Sequence, residues 1–318
     1  MDGFRIPVGT WVDAGVDWLR DNLSGLFDVI AVVVRFLVGG LSDVLLSAPI
    51  VVVIVVAALL AWLVRSWKLA VGTVVGFALI LAMGQWVTAM QTLALVVIAA
   101  AVAVAISVPL GIWSARNPTV RAVMKPVLDF MQTMPAFVYL IPAITFFSIG
   151  VVPGVVATVI FALPPGVRLT ELGIRGVDSE TVEAGHAFGA TPGQILRGIQ
   201  LPLAMPTIMA GVNQVIMLAL SMAVVAGMVG ADGLGKEVVQ SISTVNLPKG
   251  VEAGLSVVIL AVYLDRLTAA LGTRSGNTSS LLGMLGRRRT PDTPAGDAHT
   301  EAERAVASPR RAPITTGA

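Results

Sequence analysis

The sequence predicts an all-α bundle that crosses a membrane several times, and three observations carry that assignment. Hydrophobic residues fill 56% of the 318 positions and charged residues only 13%, far from the soluble average. Several runs lack any charged side chain over the roughly 20 residues that a helix needs to cross a hydrocarbon core. Leu, Val, Ala and Ile also come in continuous blocks, where a β-barrel would need apolar and polar residues to alternate.

Residues 1–43 read as an extracytoplasmic, interfacial segment. Within Leu26 to Leu41, Asp28 and Arg35 favour an amphipathic helix on the membrane surface over a further span. No signal peptide is expected, because Asp2 opens an acidic start with no short apolar core and cleavage site after it. The membrane domain covers 44–272, with about seven spans near Val44 to Val64, Leu69 to Val87, Met90 to Trp113, Met134 to Ile149, Val152 to Val167, Pro206 to Val229 and Val251 to Ala270. The uncharged run from Phe130 to Val167 is too long for one helix. Gly150, Pro153 and Gly154 break it into a hairpin of two spans, and Pro135 and Pro142 are expected to kink the first. The last span loses its apolar character at Asp265 and Arg266, which are expected at the interface with Arg266 snorkelling. Residues 273–318, rich in Ser, Thr, Pro, Ala and Arg, read as a disordered tail.

Orientation follows from the basic residues, which favour the cytoplasmic loops. Alternate connections hold Arg65 and Lys68, then Arg116, Arg121 and Lys125, then Arg168, Arg175 and Arg197, then Arg274 with Arg287 to Arg289. These belong inside, which places the tail in the cytoplasm and the N-terminus outside a bacterial cell membrane.

One polar island interrupts the apolar chain, from Asp178 to Pro202. It reads as two short helices on the cytoplasmic side. Asp178 or Ser179 caps the first, with Glu180 and Glu183 near its positive end, and Gly189 stops it in a left-handed conformation. Thr191 starts the second, with Pro192 at the first helical position and Gln194 completing a capping box. Leu201 and Pro202 are expected to end it. Ile195, Leu196 and Ile199 form an apolar stripe that needs a groove to bury it.

Glu183, Ala184, Gly189, Ile199, Leu201 and Pro202 hold six fixed positions of a pattern that resembles the signature loop of ABC importer permeases. Gly185 stands where the pattern has a second Ala, which loosens the first helix by about 1 kcal/mol. The stretches MQTMPAFVYLIPA at 131–143, IFALPPGVRLTELGIR at 160–175 and AGVNQVIMLALSMAVVAGMVGADGLGKEV at 210–238 resemble the permease subunits of glycine betaine, proline betaine or choline importers. The likeness runs from about Leu45 to Leu271, with an importer core at about 88–271 and an ATPase-coupling loop at 178–202. It implies a type I ABC importer permease fold and a coupling loop that uses Glu183, Ala184, Gly185, Gly189, Ile195, Ile199, Leu201 and Pro202. It implies as partners an ABC ATPase that binds the ATP and Mg, so that this chain has no cofactor of its own, together with an extracytoplasmic solute-binding protein and a second permease subunit in a homodimer. A permease for another small amino-acid-like solute is the neighbouring reading.

Other function classes fare worse. GADGLGKE at 230–237 has the spacing of a phosphate-binding loop, but Glu237 replaces the magnesium-binding hydroxyl and the segment falls outside; a glycine-rich turn near the outer gate is expected. An ion-driven secondary transporter would carry ionisable groups at membrane depth, and none is central in the expected spans. Thr145, Asn213, Gln214 and Ser221 could line a pathway, or simply join helices. For an enzyme, no catalytic set emerges. His186 and His299 are the only histidines, and zero cysteines removes thiol chemistry; no metal site is expected. Arg168, Glu171 and Arg175 stand at ion-pair spacing, either local or bracing the island's base. Trp62, Trp67, Trp86 and Trp113 fall near span ends as interface anchors, so the aromatic cage for a quaternary ammonium is expected on the separate binding protein. Gly72 and Gly76 make a small-residue helix-packing motif.

Overall fold

Apolar blocks without alternation can satisfy their backbone in a bilayer only as helices, and helices are what form. A computed structural model describes residues 7–272. The expectations for Asp2, the tail 273–318, Arg287 to Arg289 and His299 lie outside those residues. Among the described residues there is no strand. Five helices are long and apolar enough to cross a membrane, or six with one bent pair, against the seven spans expected from sequence.

The first helix, α1 (Val8–Ser47), kinks at Leu23 and runs through the expected boundary at 43 without a break. Its length and composition would suit a span, but its neighbours lie at one end of the bundle. Phe27 stacks on Phe146 at 4.5 Å and meets Phe147 edge-on. Farther along, Arg35, Val38 and Asp43 border a cavity of about 210 Å³ with Gln91, Val151 and Asp232.

Two short apolar helices follow, α2 (Ile50–Val64) and α3 (Trp67–Ala82). The first starts later than the expected Val44, because Ala48 precedes Pro49 and is extended (φ −70°, ψ 144°), as steric conflict with the proline ring requires. At about 1.5 Å per residue both are short of a roughly 30 Å hydrocarbon core. In the glycine motif only Gly76 makes a tight contact. A Cβ there would lie 2.8 Å from Ile259 Cγ2, whereas nothing lies within 4 Å of one at Gly72. Trp86 is not an interface anchor: it is buried and meets Phe77 edge-on at 6.3 Å.

The centre consists of α4 (Trp86–Arg116), α7 (Val151–Arg175) and α10 (Leu201–Ala226). Small residues let these backbones approach. A Cβ at Gly111 would meet Thr170 Cβ at 2.5 Å, and one at Gly211 would meet Leu169 Cβ at 2.9 Å. The expected end of the fifth span at Val167 is overrun, since α7 continues through Pro164 and Pro165 to Arg175.

Between α4 and α7 the expected span Met134–Ile149 is not one helix. Its residues form a 3₁₀ turn at Ala136–Tyr139 and α6 (Leu140–Phe147), and this segment is bent by 109° from the preceding α5 (Pro118–Thr133). The bend falls where Met134 is extended before Pro135. Pro142 causes none, because in the first turn of α6 its missing N–H has no helical partner to lose. The hairpin to α7 turns at Ser148 (φ 63°) and Gly150 (φ 137°), slightly before the expected break, and Pro153 and Gly154 sit inside α7.

Beyond α10 the chain turns through a 3₁₀ segment (Gly227–Val229) into α11 (Leu234–Ser243) and α12 (Leu247–Gly272). Asp265 is not simply at the interface with solvent. It accepts from Asn213 Nδ2 at 3.0 Å, and Thr268 donates to Asn213 Oδ1, so these polar groups join α12 to α10.

Candidate functional site

The polar island forms the expected pair of short helices, and its caps are the ones its residue types dictate. α8 (Ser179–Ala187) begins where Glu180 N donates to Asp178 Oδ1 at 3.1 Å. It ends in a Schellman turn. Gly189 N donates to His186 O at 2.9 Å and Ala190 N to Gly185 O at 3.1 Å, with Gly189 at φ 79°. Next comes α9 (Pro192–Ile195), whose capping box is complete. Gln194 N donates to Thr191 Oγ1 at 3.4 Å and Thr191 N to Gln194 Oε1 at 2.8 Å.

Two expectations are corrected here. Leu201 and Pro202 do not end the second helix. A π turn over Leu196–Gln200 carries it straight into α10. Widening that turn takes up the Pro202 ring, which would otherwise press on the carbonyl of Gly198. The apolar stripe also needs no outside groove, because Ile195 and Leu196 are already buried. Leu196 packs with Ile174, Ala204 and Ile208, and Ile199 reaches under α8, where a Cβ on Gly185 would lie 2.8 Å from its Cδ1. Gly185 is thus the gap that lets Ile199 in, which suits this chain's departure from the Ala of the pattern.

What remains free is the other side. α8 has no buried residue, and Glu183, Ala184, His186 and Gly189 are exposed. Phe188, which sequence reasoning passed over, is 91% exposed at the tip. Its signal was present in the sequence: one aromatic ring immediately before the stop glycine of a polar island, on no apolar stripe.

Below the hairpin, Glu171 collects three donors. Ser114 Oγ on α4 donates to it at 2.8 Å, Arg121 Nε on α5 lies at 2.8 Å, and Arg175, one turn along α7, lies at 3.4 Å. Arg168 pairs instead with Asp129 of α5. Spacing alone pointed to pairs within α7, and only Glu171–Arg175 is of that kind.

The other polar residues of interest are scattered. Thr145 and Ser221 are exposed and donate to carbonyls of their own helices, Ile141 O at 3.0 Å and Met217 O at 3.1 Å. Gln214 is exposed, and Asn213 is committed to Asp265 and Thr268. The glycine-rich turn is closed by its own packing. A Cβ on Gly235 would lie 2.6 Å from the carbonyls of Ala223 and Val224, Leu234 N donates to Thr92 Oγ1 at 2.8 Å, and Lys236 is held by Asp232 at 2.8 Å. That hydrogen bond and charge raise the Lys236 pKa. With the lysine and the amide both engaged, the turn offers no phosphate cradle.

Residues 107–276 match the family described as binding-protein-dependent transport system inner membrane component. The chain belongs to this family. As an ABC permease it is a multi-pass membrane transport subunit, in agreement with the resemblance read from its sequence. The chain is 49% identical to the glycine betaine transport system permease protein OpuAB of Bacillus subtilis, over 83% of this chain and 94% of that one. It is 47% identical to the glycine betaine/proline betaine permease protein ProW of Escherichia coli, over 89% and 82%. Among solved structures it resembles an inward-facing MetNI methionine ABC transporter with a TM-score of 0.53 and 25% identity, over 57% of this chain and 93% of that one, which supports the type I importer permease fold.

Proposed function

We propose that this permease moves a betaine-class compatible solute, such as glycine betaine, proline betaine or choline, from an extracytoplasmic binding protein into the cytoplasm. A separate ATPase, which binds the ATP and Mg, docks on the hairpin at 178–202 and drives the step. Two permease subunits enclose the pathway, with the N-terminus outside and the C-terminus in the cytoplasm. The observation that carries the docking role is the hairpin itself: α8 buries nothing and Phe188 stands 91% exposed, although the caps fix the backbone rigidly. A hydrophobic tip on a stiff polar arm is suited to a partner's pocket. The solute class is supported by the near full-length likeness to the betaine permeases.

Uptake of labelled glycine betaine into vesicles holding the permease, its ATPase and its binding protein tests the reading. Uptake should need ATP on the ATPase side and persist when ion gradients are collapsed. Uptake that stops with an uncoupler while ATP is maintained would overturn it in favour of an ion-coupled transporter.

A further inference from the structure

The geometry points to Glu171 as the positioning residue through which the docking hairpin moves α5 and, beyond it, the bent α5–α6 segment. The inference rests on the ATPase-docking reading above.

Three observations lead to it. First, α5 is barely packed: Leu128 is its one buried residue. Arg121, Lys125 and Asp129 recur every fourth residue along α5 and face Arg168, Glu171 and Arg175 of α7 across a cavity of about 490 Å³. The helix is therefore held over an open cleft by charge. The Arg168–Asp129 pair, exposed on both sides, can part and re-form at small cost, whereas a close-packed core resists sliding. This is the contact along which α5 can move against the central bundle.

Second, the cleft has one organising group. The Glu171 side chain is 17% exposed and holds the buried Ser114 of α4, Arg121 of α5 and Arg175 of its own helix together. Three helices meet at one carboxylate. Arg168–Asp129 is a second strap between the same two helices.

Third, both ends of this linkage are mechanically placed. Arg175 is the last residue of α7, and Gly176 and Val177 lead directly to the Asp178 cap of the hairpin. At the other end α5 runs into the Met134–Pro135 bend, after which Leu140 and Ala143 pack with Ala157 and Met222 in the membrane domain. A push on the hairpin thus reaches the end of α7, then Glu171, then α5 and the bend. A local role would need only the pair with Arg175. The bonds to α4 and α5 exceed that need.

The test uses the full transporter reconstituted with its ATPase and binding protein, and reads solute moved per ATP hydrolysed, together with co-purification of the ATPase. In Glu171→Gln, ATPase co-purification and hydrolysis should survive while solute per ATP falls about tenfold, within the usual range of coupling between sites. Asp129→Arg alone should also lower it. The exchange Asp129→Arg with Arg168→Asp should restore it to within about twofold, because the pair is re-formed with its charges reversed. Unchanged solute per ATP in Glu171→Gln would overturn the proposal. So would a loss of uptake that only parallels loss of folded permease, or an exchange variant no better than the single one. Wild-type uptake that needs no ATP would sink the docking reading instead, and that control is independent of either variant.

Discussion

The glycine-rich turn at 227–235 and the hairpin at 178–200 are both polar-looking interruptions of an apolar chain, and they are built in opposite ways. In the turn, backbone touches backbone. Gly227 and Gly235 leave no space for a side chain, Gly150 N donates to Val229 O at 2.9 Å, and Leu234 N is bound by Thr92 of α4. In the hairpin, the glycines at the ends of α8 and α9 face open space, nothing lying within 4 Å of a Cβ at Gly189 or Gly193. Its shape comes from its own caps. The difference separates a fixed point of the fold from an arm whose surface is free for a partner.

Substitutions can break or sharpen that contrast. The largest effect is expected from Gly235→Val. Its Cβ would meet the carbonyls of Ala223 and Val224 at 2.6 Å, and backbone cannot move aside as a side-chain tip can, so destabilisation of about 3 kcal/mol should appear as a lower Tm of the purified permease. An unchanged Tm would mean the turn is not a fixed point. Next, Phe188→Ala should leave Tm where it is, the ring being 91% exposed, yet weaken retention of the ATPase by about 2 kcal/mol, the scale of an aromatic anchor. Normal retention would remove the tip from the docking surface.

Gly189→Ala is the intermediate case. There is room for the methyl group, but φ is 79°, and holding an L-residue there costs about 1–2 kcal/mol. Because α8 buries nothing, that cost should show as faster amide exchange across α8 and weaker ATPase retention, with the membrane helices unaffected. Smallest is Gly185→Ala. Alanine favours the helix by about 1 kcal/mol, but its methyl would lie 2.8 Å from Ile199 Cδ1. Rotation of that flexible end should bring the net change to within about 0.5 kcal/mol. A large loss would show that Ile199 is itself rigidly held.

Much of the site was legible in the sequence because it is local. Asp178, Thr191, Pro192, Gln194 and Gly189 act within a few residues of themselves, so residue type and spacing were enough to place every cap. The stripe Ile195, Leu196 and Ile199 is legible in the sequence, but its neighbour is not. Periodicity says that a face is buried; it does not say against what, and Ile174 and Ile208 come from elsewhere in the chain. Spacing links Glu171 to Arg175, but Ser114, 57 residues away, has no sequence signal at all. Trp86 misled for a related reason: an aromatic near a span end suits an interface, and only the position of Phe77 shows it to be in the core.

The sequence by itself determined the helical class, the membrane setting, the capped hairpin and the resemblance to betaine permeases. Each depends on composition, on period or on contacts closed within one or two turns of chain. Tertiary structure decided the rest: that α1 sets Phe27 against Phe146 and Phe147, that α5 bends 109° into its partner segment, that α9 runs on into α10, and that one carboxylate joins α4, α5 and α7. These depend on which distant surfaces meet. In helices such as α4 and α10, which are apolar nearly all round, the pattern marks no single face, and steric fit between small residues such as Gly111 and Gly211 selects the neighbours.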